Sequence, residues 1–124
     1  MREYTGTVLI LDEKPDLNGD SFSKDSIINI ADRIPVTLQF ENTPEGYLGE
    51  VILIKNDDKI DYKIQLIDEK ISDQMAKTLT PCIGGSIKSF IKTKKGRAIN
   101  KFTIKSIGLS VGNADTRIKK LGEE

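Results

Sequence analysis

Between Pro35 and Ile67 three strand-like runs follow one another, separated by turn chemistry. Pro35–Glu41 (Pro-Val-Thr-Leu-Gln-Phe-Glu) alternates as a half-buried strand does, and Asn42-Thr43-Pro44-Glu45-Gly46 turns the chain. Tyr47–Lys55 and Lys59–Ile67 are the next two strands, joined through Asn56-Asp57-Asp58 as a short hairpin. The three runs together read as a meander.

The flanks extend the pattern. Thr5–Asp12 is a β-branched and aliphatic run suited to a buried strand, and Ile83–Thr93 with Ala98–Val111 makes a long hairpin around Lys94-Lys95-Gly96-Arg97. Two segments read as short helices. Ser23 is placed to cap one that runs to about Arg33, and Asp68 to cap Glu69–Leu79, where Ile71, Met75 and Leu79 recur every fourth residue before Pro81 ends it. About six strands and two short helices predict a mainly β (α+β) fold, a small closed or nearly closed β-barrel whose closure would hide strand edges. The length suits one domain, 1–124, with 119–124 as a polar tail.

Charge narrows the partners. Lys plus Arg and Asp plus Glu both number 19, so no net field draws the chain to nucleic acid or to an anionic membrane. Lys88, Lys92, Lys94, Lys95, Arg97 and Lys101 are a local basic excess, which strand alternation reads as the wet face of a hairpin. The single cysteine, Cys82, has neither a second thiol nor a histidine to work with and reads as a small buried hydrophobe. The opening Met1-Arg2-Glu3-Tyr4 has no apolar signal core and no run is long enough to span a bilayer, so a soluble chain is expected. Asp16, Asn18 and Asp20 have the odd spacing of a calcium loop, but its glycine step is wrong and Ile27 stands where a bidentate Glu belongs, so a hydrogen-bonded turn is expected and no metal or other cofactor.

The chemistry-bearing stretch is Cys82-Ile83-Gly84-Gly85-Ser86-Ile87-Lys88-Ser89-Phe90, where two glycines lead into a serine inside a strand-like run. A nucleophilic serine needs a base beside it, normally an imidazole, and the chain contains no histidine. Ser86 is then either a strand serine bonded to its neighbours, with Gly84-Gly85 marking close backbone packing or a bulge, or half of a Ser–Lys dyad. The dyad requires a desolvated lysine, with Lys105 and Lys88 as candidates.

In their order and spacing these pieces resemble the prohead (head maturation) proteases of tailed bacteriophages, whose β-barrel is shared with the herpesvirus capsid-assembly protease. The resemblance is carried by Asp16-Leu17-Asn18-Gly19-Asp20-Ser21-Phe22, the strand Pro35–Glu41, Tyr47-Leu48-Gly49-Glu50-Val51, Gly84-Gly85-Ser86-Ile87 after a helix, and Ile107-Gly108-Leu109-Ser110-Val111-Gly112-Asn113-Ala114-Asp115. It implies a nucleophile at Ser86. It implies a histidine at the end of the strand Leu38–Asn42, where this chain has Phe40 or Glu41, and an acidic third member near Lys105.

By the same resemblance, Lys88 replaces a glycine-like step after Ile87, and one catalytic position of three is kept. The expectation is a catalytically degenerate member: a non-enzymatic phage head protein, an auxiliary capsid or head-assembly component. Its partners would be capsid or other head proteins or further copies of itself, met through loops such as Asn42–Gly46 and Lys94–Arg97, with no nucleic-acid specificity and no membrane. It would be made in the host cytoplasm and reside in the virion. The alternative is an active protease that processes scaffold or capsid precursor with the Ser86–Lys105 or Ser86–Lys88 dyad.

Overall fold

A strand of fourteen residues near the C-terminal end, Arg97–Ser110, organises the computed structural model, which describes residues 1–41 and 43–123. In chain order the elements are β1 (Arg2–Ile10), β2 (Asp20–Ile30), β3 (Ile34–Leu38), β4 (Tyr47–Asn56), β5 (Lys59–Leu66), α1 (Asp73–Ala76), β6 (Thr80–Lys92) and β7 (Arg97–Ser110). One edge of β7 is taken along its whole length by antiparallel β6. The other is divided: its first half pairs in parallel with β2, from Asp20↔Arg97 to Ile30↔Ile104, and its second half pairs in parallel with β3, from Val36↔Ile107 to Leu38↔Leu109. The expected meander continues antiparallel from β3 to β4, β5 and β1.

The inward side chains explain this arrangement. Val8, Leu11, Val36, Ile60, Ile64, Leu66, Ile104, Ile107 and Leu109 are all sealed from solvent in one apolar cluster. At ~25 cal/mol per Å² of apolar surface removed from water, each such side chain contributes roughly 1.5–3 kcal/mol. Phe22 and Phe102 meet edge to face at 5.8 Å and join β2 to β7 inside this core.

The mainly β class is present, but the closed barrel with two helices is not. All seven strands belong to one sheet, and no ladder among the described residues joins β1 to β6, which approach each other across an open seam. The expected helix Ser23–Arg33 is strand as far as Ile30 instead. Its Ile27-Ile28-Asn29-Ile30 run is β-branched and ladders onto Lys101–Ile104, so pairing overrides the capping pattern. Ser23, read as a cap, belongs to a bulge with Ser26: Ser23 Oγ accepts from the Asp25 amide, and Ser26 Oγ donates to the Ile99 carbonyl at 2.7 Å.

The second helix shrinks from Glu69–Leu79 to the single turn of α1. Its cap is Ser72 and not Asp68: the extended Ser72 accepts from the Met75 amide, while Asp68 pairs with Arg2. Of the stripe Ile71, Met75 and Leu79, the first and last are buried and Met75 is exposed. The first strand begins at Arg2 and ends at Ile10, shifted from Thr5–Asp12. Lys119–Glu124 is not simply a solvated tail, because Leu121 is buried and its amide donates to the Leu79 carbonyl; Glu124 and Asn42 lie outside the described residues.

Candidate functional site

The double glycine of β6 lies at a bulge and at a close backbone contact, the two readings left open for it, and the bulge assembles the site. Gly84 pairs with Ser106 and Gly85 with Ile104, so Lys105 is the extra residue on β7. A side chain at Gly85 would run into the Thr103 carbonyl oxygen, which is why this step of β6 requires glycine. Ile83 and Ile87 pack toward the core, so Gly84 and Ser86, offset from them by one residue, stand on the outer face.

The bulge turns Lys105 toward Ser86. Its Nζ donates to Ser86 Oγ at 3.1 Å, and the pair is exposed. Lys88, the other dyad candidate, is the extra residue of a second irregularity between Ile87 and Ser89 and is exposed, with no hydrogen bond to Ser86.

Phe40 is brought to the same face. Gln39 and Phe40 both have left-handed backbone, with φ of 48° and 62°, and this turn lays the Phe40 ring over two glycines of adjacent strands. A Cβ at Gly84 would stand 2.5 Å from Phe40 Cε1, and one at Gly108 would stand 2.6 Å from its Cε2 and Cζ. The ring therefore fills the space above Gly84 and Gly108 that side chains would occupy, with Ser106 Oγ at its border. Glu41 points elsewhere: its Cβ lies against Gly46. The three positions singled out by resemblance, Phe40, Ser86 and Lys105, thus share one face of the β6–β7 ladder.

The chemistry of this cluster is limited by what surrounds it. A hydroxyl becomes a nucleophile when a neighbour takes its proton, whereas Lys105 Nζ at 3.1 Å donates a hydrogen bond to Ser86 Oγ. The burial that lets a lysine serve as base is missing at Lys105, which is exposed. A cleft of ≈ 230 Å³ does open nearby at the β1–β6 seam, lined by Val8, Leu9, Phe22, Ile83, Ile87 and Phe102 among others. Ser86 does not line it, because the cleft is reached from the inward face of β6.

Cys82 lines that cleft and is partly buried, not fully so. Its thiol donates to the Gly112 carbonyl at 3.2 Å, and burial pushes its pKa up, which keeps it a thiol. The Asp16 carboxylate accepts from the amides of Asn18 and Asp20, the turn expected there, while Asp20 receives a bidentate hydrogen bond from Arg97. Sequence reasoning missed the placement of Phe90. It is an exposed aromatic between the lysines of the hairpin, with the Arg97 guanidinium 5.5 Å from its ring centroid.

No family model matches this chain. Neither a curated protein nor a solved structure matches it significantly.

Proposed function

We propose that this domain is a non-enzymatic phage head protein, a prohead-protease-like β domain that works by contact as an auxiliary capsid or head-assembly component. The observation that supports it is the Ser86 hydroxyl, held by an exposed Lys105 ammonium with an aromatic ring at Phe40 on the same face. Losing one member of a catalytic triad lowers turnover by roughly 10⁴-fold. The assignment to a phage head rests on the resemblance carried by residues 16–22, 35–41, 47–51, 84–87 and 107–115. The partners would be capsid or other head proteins or further copies of the chain, and the place of residence the virion.

The test is mass spectrometry of purified particles from the phage that encodes the chain. An abundant, uncleaved copy in the particle is expected; absence from both the particle and its precursor overturns the reading.

One contact favours a second reading, an active protease with a Ser86–Lys105 dyad that processes scaffold or capsid precursor. Mixing the purified protein with the capsid and scaffold proteins encoded beside it separates the two. Precursor cleavage that vanishes in Ser86→Ala establishes the protease and overturns the contact role.

A further inference from the structure

The balanced net charge conceals a segregation. From Gln74 to Ala114 the sequence contains eight Lys or Arg and no Asp or Glu, and the opposite excess lies in the rest of the chain. The structure folds this block into α1 and the β6–β7 hairpin, so the cations are concentrated on two paired strands and their connecting turn. Two of them are neutralised: Lys77 pairs with Asp73 and Arg97 with Asp20. The other six, Lys88, Lys92, Lys94, Lys95, Lys101 and Lys105, form no ion pair among the described residues. All six are exposed.

Their placement follows the ribbon. Lys94 and Lys95 form the tip, and Lys101 and Lys105 follow on β7 at intervals of a few residues. At ~3.3 Å per residue the track from tip to Lys105 is about 30 Å long. Ser89 pairs with Lys101 and Ser86 with Thr103, so hydroxyls stand among the ammonium groups. The exposed Phe90 and Ile91 lie on the same ribbon. Lysines spaced along a strand, without the fixed forks that read base edges, match a repeating phosphate chain and not a particular sequence.

We propose that the β6–β7 hairpin binds the phosphate backbone of double-stranded DNA without sequence preference. An acidic face of a second copy is the weaker fit, because six of the remaining carboxylates are already engaged. Glu3, Asp12, Glu50, Asp57, Asp68 and Asp115 all form ion pairs within the chain. The inference stands whether or not the domain serves a phage head.

The experiment is fluorescence anisotropy with a random-sequence DNA duplex across about 50–200 mM salt, with sedimentation of the protein alone. Counterion release predicts log Kobs falling linearly with log salt, at a slope of about −0.9 for each phosphate neutralised, or about −3 to −5 for most of these lysines. Lys94→Gln with Lys95→Gln, both at the exposed tip, reduces the slope by about 2, while Lys119→Gln with Lys120→Gln leaves it unchanged. No binding at 50 mM salt, a slope indifferent to the tip lysines, or salt-sensitive self-association without DNA binding overturns the proposal. Loss of binding with an altered circular dichroism spectrum is resolved by Lys101→Gln, which must lower the slope by about 1 in a folded protein.

Discussion

Gly85 of β6 lies so close to the Thr103 carbonyl of β7 that no side chain fits between them, and this contact sets the bulge that delivers Lys105 to Ser86. The backbone there has no room to yield. Gly85→Ala is expected to lower stability by about 2–3 kcal/mol, read as a fall in the urea midpoint.

Gly84→Ala is the informative contrast. What its methyl meets is the Phe40 ring and the Ser106 hydroxyl, both side-chain atoms, and Phe40 is partly exposed. The ring swings outward at a cost of about 1 kcal/mol or less, and Phe40→Ala in the same chain recovers most of it.

Thr37 has the one buried side-chain oxygen without a hydrogen-bond partner among the described residues. Replacing it by the isosteric Val removes a desolvated hydroxyl and keeps the volume. Thr37→Val is expected to be neutral to stabilising by about 1 kcal/mol, a rise in Tm of up to about 4 °C.

Acid should loosen the join between β1 and the C-terminal turn. The Arg117 guanidinium holds the Asp12 carboxyl below its usual range, and it does the same for Asp115 against the upward push of burial. A depressed folded pKa contributes stability that is fully present above the unfolded value of about 3.9 and is lost as pH falls through the folded one. The urea midpoint therefore drops below about pH 4, and Arg117→Met flattens that limb. A residual slope remains from Asp68, held down by Arg2, and Asp73, held down by Tyr4 and Lys77.

The Cys82 thiol should be slow to react. Burial raises its pKa and the Gly112 carbonyl accepts a hydrogen bond from it, so a disulfide reagent at pH 8 labels it at least about tenfold more slowly in the folded chain than in urea. Equal rates would contradict its placement.

What the sequence made legible was local. The order and pairing of the three-strand meander read correctly because turns are set by neighbours a few residues away, but its first strand stops at Leu38 and not at Glu41, where Gln39 and Phe40 turn left-handed. Ser23–Arg33 misleads because its serines act within a bulge and its isoleucines are satisfied only by β7, some seventy residues on. The open seam was illegible for a similar reason, since closure depends on the distance between β1 and β6 and not on either strand alone. The candidate site follows the same division. Ser86 is visible as a residue, whereas the turn of Lys105 toward it and the seating of Phe40 on Gly84 and Gly108 arise only from cross-strand register. The basic excess of the hairpin was legible in the sequence, whereas the pairing of Arg97 with Asp20 and the lack of ion partners for its lysines among the described residues depend on the fold.

The central claim is that Ser86 is a surface hydroxyl and not a nucleophile. Intact-mass measurement after incubation with excess fluorophosphonate between about pH 7 and pH 10 tests it most directly. The account predicts an unmodified mass throughout, identical for the native chain, Ser86→Ala and Lys105→Met. A stoichiometric adduct mapped to Ser86 that disappears in Lys105→Met would contradict it.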